Sequence, residues 1–171
     1  MNLPNILTAI RILLIPIFGY CLFVEKYIAA AILFLAGGIT DILDGHIARK
    51  YNLVTSFGKL ADPLADKLMQ LTALAILTFL GKIELIVLIL ILAKEFLMIL
   101  GSVLLYKRKN FVVSANWYGK LATVIFYLAI VLIIFNSPYG HVFIIAAVLF
   151  ALFAFIMYAR NFKKINKSLN H

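Results

Sequence analysis

Six hydrophobic runs alternate with short polar breaks along the chain. They cover Ile12 to Val24, Tyr27 to about Arg49, Ala61 to Leu80, Ile83 to Tyr106, Tyr118 to Phe135 and His141 to Tyr158. A membrane crossing needs roughly 20 apolar residues in helical form. The pattern therefore predicts an all-α integral membrane protein with six transmembrane helices. The first run is short for a crossing, and upstream of it Leu3, Ile6, Leu7 and Ile10 recur at helical spacing. They predict a short amphipathic N-terminal helix lying along the interface. Pro4 suits a first helical turn, and Pro16 inside the first crossing kinks it without forbidding it.

Composition strengthens this picture. Of the 171 residues, 65% are hydrophobic and 13% charged, against roughly 25% charged in soluble domains. No internal repeat or low-complexity segment divides the chain, so residues 1–171 are expected to form a single membrane domain. The N-terminus lacks a basic stretch before its first apolar run and a small-residue cleavage site after it, which predicts a retained helix rather than a signal peptide. Cys21 is the one cysteine and has no partner for a disulfide.

The net charge of +9 would suggest nucleic acid in a soluble protein, but here the basic residues flank hydrophobic runs. Anionic headgroups and cytosolic retention of loops account for them. Arg11, Arg49, Lys50, Lys59, Lys67, the Lys107 to Lys109 run, Lys120 and the basic tail after Tyr158 would all share one face of six crossings. The opposite breaks hold only Lys26 and Lys82, each close to a glutamate. The expectation is a multi-pass protein of the bacterial inner membrane with both termini facing the cytoplasm. Lys94, beside Glu95, falls midway along the fourth run and is not a loop charge.

Apart from Glu25, Glu84 and Glu95, every acidic residue lies in the segment DILDGHIARKYNLVTSFGKLADPLADK. Asp41 and Asp44 are three apart near the end of the second helix; Asp62 and Asp66 are four apart near the start of the third. Each spacing places two carboxylates on one helix face, and an antiparallel hairpin would oppose the two faces. Carboxylates so close to lipid require a counter-charge. One solution is a hard divalent cation such as Mg²⁺, Mn²⁺ or Ca²⁺; zinc lacks a Cys or His set here. The other is pairing with Arg49, Lys50, Lys59 and Lys67, with Asp62 before Pro63 acting as a helix N-cap. Gly45 and Gly58 leave room for a ligand, or for close helix packing. Metals held by carboxylates suit phosphoryl chemistry, and a loosely held carboxylate can serve as base. An acidic path for a transported divalent cation is the alternative from another class.

Asp41, Asp44, Gly45, Ala48, Arg49, Gly58, Asp62 and Asp66 fit the pattern D-x2-D-G-x2-A-R-x8-G-x3-D-x3-D. This resembles the signature of the CDP-alcohol phosphotransferases, membrane enzymes of phospholipid head-group synthesis. NLPNILTAIR and GKLADPLADKL look most like bacterial members that use glycerol 3-phosphate. The resemblance implies a homodimeric helix bundle that transfers a phosphatidyl group from CDP-diacylglycerol to a small alcohol and releases CMP. It implies Mg²⁺ or Mn²⁺ held by Asp41, Asp44, Asp62 and Asp66, with Asp66 also the catalytic base. It further implies a nucleotide site at Asp41, Gly45, Ala48, Arg49 and Gly58.

For the acceptor, the same likeness points to a cationic pocket built from Lys94, Arg108 and Lys120. Those relatives usually carry an arginine-glutamate pair where this chain has Lys94 and Glu95, which replaces a forked donor with a point charge. A serine and an arginine expected further along are Ile99 and Ser102, and a second lysine expected after Lys120 is Ala122. Glycerol 3-phosphate is the expected acceptor, with phosphatidylglycerol the alternative.

Overall fold

In a computed structural model the described residues form six helices: α1 (Leu3–Phe23), α2 (Tyr27–Lys50), α3 (Ser56–Phe79), α4 (Leu85–Lys109), α5 (Trp117–Ile134) and α6 (Gly140–Ser168). The structure describes residues 3–51, 56–109 and 117–168, without the side chains of 3–5, 46, 48, 49, 56, 57, 59, 60, 101–109, 117, 118, 120, 158 and 161–168. Two compact units divide the chain, Met1–Ile83 with α1–α3 and Glu84–His171 with α4–α6.

Each apolar run became a helix, but the membrane reading needs correction. By length and composition, three helices among the described residues qualify as spans: α1 over Ile6–Phe23, α2 over Tyr27–Gly45 and α6 over Gly140–Met157. The expected six do not. Lys59, Asp62, Asp66 and Lys67 occupy the first half of α3, the described side chains of α4 cover only 85–100 and include Lys94 and Glu95, and the described apolar part of α5, Leu121–Ile134, is too short. With three qualifying spans among the described residues, an even number of crossings no longer places both termini on one side.

The separate interfacial helix is also absent, because α1 runs unbroken from Leu3 to Phe23 with Pro16 inside it. Thr8 and Arg11 are buried on that helix rather than laid on a surface. Asp62 is no N-cap either. α3 begins at Ser56 and carries Pro63 internally, so the proline withdraws one helical N–H without ending the helix.

Three helix ends share one closing device. After α1, Lys26 N–H donates to Cys21 O and Glu25 N–H to Leu22 O; after α3, Lys82 pairs with Leu77 and Gly81 with Thr78; after α5, Ser137 pairs with Leu132 and Asn136 with Ile133. These are paired i−5 and i−3 bonds that satisfy the last carbonyls and require a left-handed residue. Glu25, Gly81 and Asn136 supply it with φ of 58°, 69° and 53°. Tight turns of this kind make α1 and α2 an antiparallel pair.

α1 packs against both α2 and α3. Phe18 and Phe34 stack with ring centroids 5.3 Å apart, and Gly19 lets α1 approach α3, since a Cβ there would sit 3.2 Å from Thr72 Cγ2. Phe23 and Phe79 meet at 5.7 Å, and the Lys82 ammonium lies 3.9 Å from the centre of the Tyr27 ring. These contacts close the end of the unit remote from the aspartates. In the other unit α6 packs against α5 and α4, with Phe126, Ile130, Ile133, Ile144, Ala147 and Val148 buried.

Candidate active site

The end of α2 carries Asp41 and Asp44, and the first half of α3 carries Asp62 and Asp66. Asp41 lies within electrostatic reach of Asp44, Asp62 and Asp66, and Asp44 within reach of Asp62. An antiparallel arrangement with the connection after Lys50 at this end achieves that, because each helix turns its i, i+3 or i, i+4 pair to the same side.

α1 contributes two residues that the sequence reading did not assign to the site. Arg11 Nη1 donates to Asp41 Oδ1 at 2.7 Å and Nη2 to Asp44 Oδ2 at 2.5 Å. Its side chain is fully buried; that of Asp44 is 1% exposed and that of Asp41 37%. One turn earlier, Thr8 Oγ1 donates to Asp62 Oδ1. Within α3, Gln70 Nε2 donates to Asp66 Oδ2 at 2.8 Å. One oxygen of every site carboxylate thus accepts a hydrogen bond from a named side chain.

Arg11 was read above as a flanking charge, and the ion pairs considered were with Arg49, Lys50, Lys59 and Lys67. A counter-charge for Asp41 and Asp44 comes from α1, 30 and 33 residues away, while the side chains of Arg49 and Lys59 lie outside the described residues. A clue was present: Thr8 and Arg11 are three apart on an otherwise apolar helix, hence on one face. A buried guanidinium is costly without partners, so that face required acidic company.

The chemistry of the donor set suits a hard divalent cation. Carboxylate oxygens only accept, and Asp44 Oδ1 is buried with no hydrogen-bond partner among the described residues. Among those residues, no three Asp, Glu, His or Cys side chains are gathered closely enough to hold a metal ion. The Arg11 guanidinium bridges the α2 pair, whereas Thr8 and Gln70 engage the α3 pair. The ligand chemistry fits; the spacing would have to tighten around an ion.

Of the remaining expected residues, Gly45 is half-buried in α2 and Gly58 is buried in α3. The side chains of Ala48, Arg49, Ser102, Arg108 and Lys120 lie outside the described residues. Lys94 Nζ pairs with Glu95 at 2.6 Å in the second unit, the two side chains 11% and 13% exposed. Ala122, standing where a second lysine was expected, is buried in α5.

Comparison with known proteins agrees with the motif. The CDP-alcohol phosphatidyltransferase family profile matches residues 1–153. A CDP-diacylglycerol–glycerol-3-phosphate 3-phosphatidyltransferase of Rickettsia felis is 48% identical over 99 residues, covering 56% of this chain and 55% of that protein. Enzymes of the same name from Aquifex aeolicus and Bacillus subtilis are each 38% identical. They align over 125 and 154 residues, which cover 72% and 81% of this chain and 70% and 79% of theirs. The match thus spans about half the length of the Rickettsia relative and more of the other two. The chain belongs to the CDP-alcohol phosphatidyltransferase family.

Proposed function

We propose that this family member transfers the phosphatidyl group of CDP-diacylglycerol to the hydroxyl of sn-glycerol 3-phosphate and releases CMP. One observation carries the reading: Asp41, Asp44, Asp62 and Asp66 share an electrostatic neighbourhood at one end of α1–α3. The similar enzymes, CDP-diacylglycerol–glycerol-3-phosphate 3-phosphatidyltransferases, suggest the substrates. Mg²⁺ or Mn²⁺ held by the four aspartates would neutralise the diphosphate and stabilise charge on the leaving nucleotide.

Asp66 accepts the proton of the acceptor hydroxyl. The Gln70 hydrogen bond fixes one of its oxygens and so limits the orientations the carboxylate can take. The deprotonated oxygen forms a bond to the phosphorus on the diacylglycerol side, the bond from that phosphorus to the bridging oxygen breaks, and CMP leaves with the electron pair. Asp41, Gly45, Ala48, Arg49 and Gly58 would receive the nucleotide, with the small residues allowing close approach to backbone. Lys94, Arg108 and Lys120 are proposed as cations for the acceptor phosphate.

Exposed apolar side chains such as Leu13, Ile28 and Ile32 on α1 and α2 suit a lipid surround and lateral entry of a lipid substrate. Lys50, Lys59 and Lys67 flank the acidic end, which supports placing that end and the N-terminus at the cytoplasmic side of a bacterial inner membrane. A homodimer built from one catalytic domain per chain is part of the same reading. It is tested with purified protein in lipid nanodiscs, labelled CDP-diacylglycerol and a choice of glycerol 3-phosphate, phosphatidylglycerol, inositol 1-phosphate or serine. Metal-dependent CMP release with phosphatidylglycerophosphate as product is expected. Preference for phosphatidylglycerol would overturn the named acceptor, and no CMP release with any acceptor would overturn the enzyme.

A further inference from the structure

α1 carries none of the eight signature residues, yet it supplies the donors that hold three of the four carboxylates. We propose that Arg11 and Thr8 are positioning residues that orient Asp41, Asp44 and Asp62 for a divalent cation, so that α1 is the strut on which the acidic site is assembled. The inference rests on the proposed metal-dependent reading of that site.

Arg11 shows the geometry of an orienting group. Its two terminal nitrogens reach separate carboxylates on one face of α2, and a planar fork engaged at both tips fixes the distance and angle between its partners. Nη2 meets Oδ2, and the Gly45 backbone N–H also acts on this carboxylate, while Oδ1 is buried with no side-chain partner among the described residues. A buried acceptor without a donor is expensive, and a cation at that oxygen would remove the cost. Thr8 applies the same principle to α3 by donating to Asp62 Oδ1. Because Thr8 and Arg11 are one turn apart on a single rigid helix, the α2 pair and the α3 pair are registered against each other through α1.

The surrounding packing preserves this register. Gly37 of α2 faces Met69 of α3, and a Cβ added at Gly37 would overlap the Met69 Sδ and lie 2.8 Å from its Cε and 4.0 Å from Arg11 Cγ. Met69 is fully buried, so the absent Cβ is where the Met69 end and the Arg11 stem pass α2. Side chains that hydrogen-bond metal-ligating carboxylates typically alter metal affinity by about 10–100-fold when removed. Arg11 is placed to act at that level through Asp41 and Asp44.

The test is titration of the detergent-solubilised full chain with Mn²⁺, followed by electron paramagnetic resonance, with no substrate present. Arg11→Gln is expected to weaken Mn²⁺ binding by about 10–100-fold, and Arg11→Lys by less, since it keeps the charge and loses the fork. Thr8→Val is expected to weaken binding by up to about 10-fold, and Thr8→Ser to restore it because the hydroxyl returns. A purely structural role would lower thermal stability and leave the Mn²⁺ dissociation constant unchanged. Folded Arg11→Gln with unchanged affinity overturns the proposal, and tighter binding would make Arg11 a competitor of the ion instead. If Arg11→Gln does not fold, the Thr8→Val and Thr8→Ser pair decides, and equal affinity in the two overturns it. Wild-type protein that binds no Mn²⁺ would defeat the metal-dependent function itself, an outcome separate from variants that merely match the wild type.

Discussion

In α1–α3 the interior holds Thr8, Arg11, Asp44 and Gln70 beside Phe18, Phe34 and Leu74, whereas the described interior of α5 and α6 is Phe126, Ala129, Ile130, Ile144 and Ala147. Both units are helical, apolar on average and closed by the same kind of helix end, so neither periodicity nor turn chemistry separates them. They differ in what their helices have to satisfy. Small and branched apolar side chains can settle into several packings that differ little in energy. A buried guanidinium between two carboxylates tolerates few, since each partner lost leaves a charge uncompensated. The geometry of the first unit is therefore constrained by polar contacts, which the proposed phosphoryl transfer would need.

The largest expected effect separates chemistry from fold. Asp66→Asn should lower phosphatidyl transfer by about 10²–10⁴-fold, the range for losing a general base, while thermal unfolding and nucleotide binding stay near wild type. CMP release under saturating substrates measures it, and undiminished turnover would remove Asp66 from the mechanism. Next is the buried charge network. Arg11→Met should cost about 3–5 kcal/mol of stability, because Asp44 is left buried and unpaired. The double variant Arg11→Met with Asp44→Leu should recover part of that loss, which thermal unfolding in detergent would show. If the double variant is less stable than Arg11→Met alone, the buried pair is not the cause.

Two glycines carry the comparison to smaller scale. Gly140→Ala would place a Cβ 2.7 Å from Ile133 Cγ1 and 3.1 Å from the Ile133 backbone nitrogen, and backbone cannot step aside. A cost of about 1–3 kcal/mol is expected, with Mn²⁺ affinity unchanged. Gly37→Ala meets only the flexible end of Met69 and the Arg11 stem. Its stability cost should fall at the low end, about 1 kcal/mol, yet it should weaken Mn²⁺ binding, because the Met69 end it displaces lies between α2 and α3, the helices that carry the aspartates. The opposite ordering in metal affinity would break the distinction between the units. Least of all, Ile130→Val in the apolar core should cost about 0.5–1.5 kcal/mol and leave transfer per folded molecule untouched.

Much of this was legible beforehand wherever the relevant signal is local. All six helices lie where apolar runs place them, but their ends moved: α3 starts at Ser56 rather than Ala61, and α6 continues to Ser168 past Tyr158. Helix formation needs backbone hydrogen bonds, not apolar side chains, so polar turns extend a helix beyond its hydrophobic stretch. The same confusion inflated the number of crossings, since α3 is a full-length helix with too many charges to qualify as a span. Gly81 and Asn136 are residues that favour a left-handed helix end. Glu25 is not, and its turn is held by the two closing bonds to Leu22 and Cys21 and by the Tyr27 hydroxyl on its carboxylate.

Local spacing fixes which side chains share a helix face. Aspartates three and four residues apart must share helix faces, and their company of glycines and a basic connection is enough to identify the family. Which cation answers those carboxylates was decided only by the tertiary structure. Among the described residues, Arg11 and Thr8 reach the carboxylates from α1, with Thr8 54 residues before Asp62. Helical periodicity extends over a few turns and fixes faces, whereas the contact between distant helices depends on how antiparallel neighbours pack, and no local pattern encodes that.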